Sequence, residues 1–248
     1  MSRHFELIQQ LEQERLISSE SPTATAPPAI DVRYSGESQT RWASDEALRL
    51  VQQVFLLQTR EPSRVVVFAG IDHGNGCSQM CASVAETLAK NAHKPVCLVE
   101  ANFRSPALPG LFGTTNHRGL TESLLNEGPV RSFATPVNSD NLWLLSSGSL
   151  ASDSPNLLTS GHLAERLKEL REEFDYVIID APPLTRYSDA IVLGQLADGL
   201  VLILEAEQTR RDAALFAAAS LRSANIPILA AVLNKRTFPI PEQIYRRL

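Results

Sequence analysis

An apolar run, RVVVFAG (64–70), leads directly into IDHGNGCSQMCASVAETLA, a glycine-containing turn that opens a helical stretch. Such a turn is suited to phosphate: backbone N–H groups and the positive end of the helix dipole converge on an anion, and glycine lets the backbone come close. Gly74, Gly76 and Ser78 stand where a phosphate loop needs them. The working pattern G-x-x-x-x-G-K-[ST] is nevertheless broken. Cys77 takes the lysine position and Ile71 the first glycine position, with Gly70 one residue early. A thiol at a helix N-terminus can have a depressed pKa and be redox-reactive. With no positive neighbour visible in sequence, a small buried filler is the plainer role for Cys77, and Cys81, one turn on, is expected to pack under the sheet. The three cysteines, Cys77, Cys81 and Cys97, do not make the paired clusters that zinc requires, and their odd number argues against a disulfide framework. His73, His93, His117 and His162 lack ligand spacing and are expected on the surface.

The elements that must position this loop alternate. Apolar strands are expected at 64–70, 95–101, 141–148, 175–183, 199–207 and 227–234, separated by helices at 78–92, 120–128, 157–174, 188–197 and 210–225. A further helix, from Ser44 or Asp45 as N-cap, puts Leu48, Val51 and Phe55 on one face. Strands apolar throughout and joined by helices imply a parallel sheet covered on both faces, with ligands at the carboxyl ends of the strands.

The ordered run of motifs resembles the bacterial tyrosine kinase family, the P-loop proteins of capsule and exopolysaccharide synthesis related to MinD and ParA. Its P-G-E-G-K-[ST] loop corresponds to His73-Gly74-Asn75-Gly76-Cys77-Ser78, and its D-A-D-x-R-x-P motif to Glu100-Ala101-Asn102-Phe103-Arg104-Ser105-Pro106. Leu111-Phe112-Gly113, Gly119-Leu120-Thr121 and Pro155-Asn156-Leu157-Leu158 follow in order. Phe174 to Pro183 matches F-D-Y-V-I-I-D-x-P-P, and Ser188-Asp189-Ala190, Ala197-Asp198-Gly199, Gln208-Thr209-Arg210 and Val232-Leu233-Asn234 complete the series over roughly residues 44–236. The resemblance implies a three-layer α/β P-loop NTPase-like domain with a mostly parallel sheet. It also implies ATP or ADP held by the loop, Asn234 against adenine, Mg2+ on Ser78, Glu100 and Asp180, and Asp180 with Glu100 in the catalytic role.

Against that pattern, four features have drifted. Cys77 is neutral and too short to reach the phosphates; losing one preorganised donor typically costs about 10²–10³ in rate. Glu100 keeps a charge on a longer arm, whereas Asn102 loses one. The tail KRTFPIPEQIYRRL has Tyr245 alone where the family carries a tyrosine cluster, and the family's E-x-x-R-x-x-R self-association motif is reduced to Glu46, Arg49 and Gln52. The expectation is therefore a pseudokinase that regulates or scaffolds polysaccharide export, in which the loop of Gly74, Gly76, Cys77 and Ser78 either retains nucleotide or anion binding or is a relic turn that binds nothing, and Mg2+ binding is weak if any. The alternative is a working kinase or ATPase with a non-standard loop. A MinD-like positioning role is disfavoured because that group's signature lysine would fall at Asp72. The implied partners are an inner-membrane polysaccharide co-polymerase or chain-length protein, a kinase paralogue, or a second copy.

Composition restricts the remaining classes. The chain has 248 residues, 44% of them hydrophobic, and a formal charge of -5, which leaves no basic field for nucleic acid. No apolar run approaches a membrane span and no signal peptide opens the chain, pointing to the cytoplasm with peripheral recruitment to the inner membrane. Residues 1–16 read as an amphipathic helix, 17–43 as a Ser/Thr/Pro/Ala-rich tether, and 44–248 as the P-loop-like domain. The tail, with Pro241 at a helix start and Ile240, Ile244 and Leu248 on one face, reads as a second docking element or a cover for the sheet edge.

Overall fold

The computed structural model describes residues 46–57, 62–137, 141–149 and 161–236. The expected N-terminal helix and tether, the caps Ser44 and Asp45, the segment 157–160 and the tail with Tyr245 lie outside the described residues.

Seven strands form one sheet in the order β3-β4-β2-β5-β1-β6-β7. The strands are β1 (Val65–Gly70), β2 (Val96–Glu100), β3 (Thr135–Pro136), β4 (Leu142–Leu145), β5 (Tyr176–Ala181), β6 (Gly199–Glu205) and β7 (Ile228–Asn234). All neighbours run parallel except β3 against β4. Side chains alternate across each strand, so Val65, Val67, Val99, Val177, Ile179 and Leu202 pack on one face. Val66, Phe68, Leu98, Ile178, Val201 and Ile203 pack on the other. With both faces covered, the expected three-layer α/β architecture is the observed one.

On the second face lie α1, helical over 46–51 and continuing as a π-helical turn Gln52–Leu56, and α2 (Cys77–Ala92). In α1 the inward residues are Ala47, Leu50, Val51, Val54 and Phe55, while Glu46, Arg49 and Gln52 are exposed. Helix α2 buries Met80, Cys81, Val84, Ala85, Leu88 and Ala89, a stripe at helical spacing. It begins at Gly76, left-handed at φ 79, and stops at His93, also left-handed at φ 52. The first face is covered by α4 (Leu120–Leu125), α5 (Gly161–Glu173), α6 (Asp189–Leu196) and α7 (Arg211–Ser223), which contribute Leu124, Leu167, Leu193 and Leu221 to the core. Full burial of a side chain of this size contributes about 1.5–3 kcal/mol each.

Five elements depart from the sequence expectation. The short α3 (Leu108–Leu111), the 3-10 turn Val130–Phe133 and the antiparallel edge strand β3 are additional. The helix expected over 120–128 ends at Leu125, where Asn126 turns extended and its side chain bonds back to the Glu122 carbonyl at 2.8 Å. The strand expected over 141–148 pairs only through Leu145, because Ser146 and Ser147 instead accept from the N–H groups of Leu120 and Thr121.

Candidate functional site

Strand parity determines which groups meet. In β2, residues 96, 98 and 100 point toward α2; in β5, residues 176, 178 and 180 do the same. Glu100 and Asp180 are register partners on these adjacent strands, so both carboxylates turn toward the start of α2. There they meet its first turn: one ligand atom each of Cys77, Cys81 and Asp180 lie within 4.8 Å of one another.

The electrostatics follow from burial. Asp180 is 1% exposed and Glu100 0%. Neither Asp180 oxygen completes a hydrogen bond, although the Ser78 hydroxyl and both thiols are close enough to favour its charged form. Burial outweighs them and raises its pKa. Glu100 is also raised, by burial first and by the Asp180 charge second, against the N–H groups of Leu108 and Ala107, which donate to its Oε2 at 2.8 Å each. Its Oε1 is buried without a partner. Contact with the Cys81 thiol lowers the Cys77 pKa, but burial together with Asp180 pushes it up to about 11. The Cys77 residue is half-buried, yet its sulfur looks inward at a fully buried carboxylate. These thiols are neutral at physiological pH, which removes the basis for a low-pKa, redox-reactive Cys77.

The loop itself is pinned from three sides. Asp72 N–H donates to Asn75 Oδ1 at 2.6 Å, and Asn75 Nδ2 donates to Glu205 Oε2 at 3.3 Å. Asn234, the last residue of β7, donates from Nδ2 to the Asn75 carbonyl at 2.8 Å. A side chain at Gly76 would lie 2.5 Å from that same Nδ2, and φ is positive there, so glycine is required twice over. Gly74 (φ 88) faces open space. Lys235 reaches Glu205 Oε1 at 3.2 Å, so the cation tied to the loop's support is already paired.

All the sequence candidates, Gly74, Gly76, Cys77, Ser78, Glu100, Asp180 and Asn234, therefore converge on one end of the sheet. Asp189, of the Ser188-Asp189-Ala190 motif, pairs with Arg104, whose guanidinium lies 4.0 Å over the Tyr187 ring. The four histidines are exposed as expected. Sequence reasoning assigned Cys81 only a packing role and none to Asn75 or Glu205. The four-residue spacing of Cys77 and Cys81 at a helix start was the available signal, since it places both on one face. The cysteines, expected to form no paired zinc cluster, include two that lie beside a carboxylate brought in by β5.

A central parallel sheet, a glycine turn feeding α2 and acidic groups at the ends of β2 and β5 define a P-loop NTPase of ParA type. The profile described as "ParA: NUBPL iron-transfer P-loop NTPase" matches residues 62–246. The tyrosine-protein kinase YwqD of Bacillus subtilis (strain 168) is 32% identical over 161 residues, 65% of this chain and 68% of that protein. The VpsO kinase domain superposes with a TM-score of 0.73 at 23% identity, over 82% of this chain and 100% of that one. MinD of Pyrococcus horikoshii OT3, solved with Mg-ADP, gives 0.59 at 18% identity over 74% and 76%, a likeness of fold. The chain belongs to the bacterial tyrosine-protein kinase family within the ParA-like P-loop NTPases.

The family implies Mg2+ and ATP; the oxygen donors present for the metal are Ser78, Glu100 and Asp180. Mg2+ demands hard oxygen ligands in near-octahedral geometry, whereas two thiols crowd Asp180. Residues 71–78 contain no lysine or arginine to meet phosphate charge.

Proposed function

We propose that this chain is a kinase-fold regulator or scaffold of capsule or exopolysaccharide synthesis and export, in which phosphoryl transfer has been lost. One observation carries the reading: at the loop position where the family places lysine, Cys77 directs a neutral sulfur at the buried Asp180. Phosphoryl transfer depends almost wholly on positioning and charge stabilisation, and a neutral thiol supplies neither. The backbone nest at Gly74 and Gly76 is left as an anion cradle, with Asn234 beside it for a base and with Ser78, Glu100 and Asp180 as the remaining oxygen donors. Glu46 and Arg49, exposed on α1, fit self-association or pairing with a kinase paralogue. An inner-membrane co-polymerase or chain-length protein is the partner this role requires, and the chain is recruited to it from the cytoplasm. Among the described residues no helix is long and apolar enough to cross a membrane.

One observation favours a second reading, an active ATP-dependent kinase or ATPase with a non-standard loop: Asp180 is retained with both oxygens unpartnered. Restoring the missing charge separates the two. Under the first reading Cys77→Lys tightens ATP binding well beyond any residual binding of the natural chain; under the second, the natural chain binds firmly and Cys77→Lys changes affinity little.

A further inference from the structure

The two thiols beside Asp180 have a constructive side. Asp180 is a carboxylate 1% exposed whose two oxygens have no partner, and Glu100 beside it has a third buried, unpartnered oxygen. Orphaned buried acceptors are costly unless something fills them. What the Asp180 oxygens face is a pair of sulfurs on consecutive turns of α2, with one ligand atom each of Cys77, Cys81 and Asp180 inside 4.8 Å of one another. A tetrahedral Zn2+ with bonds of about 2.3 Å to sulfur separates its sulfur ligands by about 3.8 Å, so shifts of about 1 Å or less bring these three ligand atoms to bonding separation.

We propose that Cys77, Cys81 and Asp180 form a site for a thiophilic divalent cation, Zn2+ in the first instance, with Glu100 Oε1 as the fourth ligand. Sulfur donors select Zn2+ over Mg2+ by softness, and Glu100 is already held by its other oxygen, on the N–H groups of Ala107 and Leu108. Each sulfur–zinc bond forms as the thiol proton leaves to solvent, with no change of oxidation state. Two thiolates and two carboxylates outweigh the dication, so the filled site stays net negative and does not replace the lysine charge. The cation clamps the first turn of α2 to the end of β5 and requires no nucleotide. The inference stands apart from the pseudokinase reading.

The test uses the purified full chain, stripped of metal and titrated with Zn2+ against a chromophoric chelator without nucleotide. One equivalent binds; Cys77→Ser and Cys81→Ser each weaken it about 100-fold or more, while Cys97→Ser, on the opposite face of the sheet, retains it. Co2+ added to the natural chain shows a sulfur-to-metal charge-transfer band in the near ultraviolet, a readout that needs no variant to fold. Binding of less than one equivalent at micromolar Zn2+, unchanged binding in Cys77→Ser/Cys81→Ser, or a Co2+ complex without that band overturns the proposal.

Discussion

Glu100 and Asp180 stand side by side at the carboxyl ends of β2 and β5, both turned into the same buried space under the start of α2. Two like charges so close, out of water, resist ionising together.

That relationship sets a pH dependence. Both carboxyls have raised pKa values in the folded chain, burial being the first cause. Between the ordinary carboxylate pKa of about 4 and the raised folded values, the native state holds protons that the unfolded chain has released. Stability of the metal-free chain therefore falls as pH rises through this window, by up to about 1.4 kcal/mol per pH unit for each proton retained. Denaturant melts from pH 5 to 8 should show the decline, and Glu100→Gln should flatten it. A wild-type profile that rises with pH would contradict the shared burial.

The Cys77 thiol, held up at about 11, is mostly protonated at neutral pH. Iodoacetamide should alkylate it in the native, metal-free chain at least about tenfold more slowly than in the urea-unfolded chain, since the thiolate is the nucleophile. Mass spectrometry at timed quenches reads the ratio. Equal rates would mean that the sulfur is not enclosed against Asp180.

Gly119 precedes α4 where a Cβ would stand 2.0 Å from the Ser146 carbonyl oxygen. The Leu120 N–H donates to that oxygen at 2.7 Å, and the Gly119 N–H donates to Glu122 Oε2 at 2.8 Å, so neither partner can move without loss. Gly119→Ala should destabilise by about 2–3 kcal/mol. Gly110→Ala, where nothing lies within 4 Å, should be neutral or slightly stabilising. Thermal melts of the pair test the contrast.

Arg104 links two motifs by pairing with Asp189 at the start of α6 while stacking over Tyr187. A double-mutant cycle with Arg104→Ala and Asp189→Ala should give a coupling of about 1 kcal/mol. Additive effects would remove the pair from the account.

Much of this was legible in sequence because it rests on periodicity. The apolar runs around Val67, Ile179 and Leu202 declared a sheet buried on both faces, and the glycines at 74 and 76 declared the turn. The LPGL turn at 108–111 and the Thr135–Pro136 strand are too short for any period to register, and proline at a strand usually argues against one. The Cys77–Cys81–Asp180 cluster escaped for a different reason: Asp180 lies about a hundred positions along the chain. Only the placement of β5 between β1 and β2, together with the phase of its alternation, brings that carboxylate to α2.

The proposed loss of phosphoryl transfer at the loop is read by incubating the purified chain with labelled ATP and Mg2+ and counting released phosphate and phosphotyrosine beside an Asp180→Ala control. No turnover above the control is expected. Robust hydrolysis or phosphotyrosine formation that Asp180→Ala abolishes would contradict it.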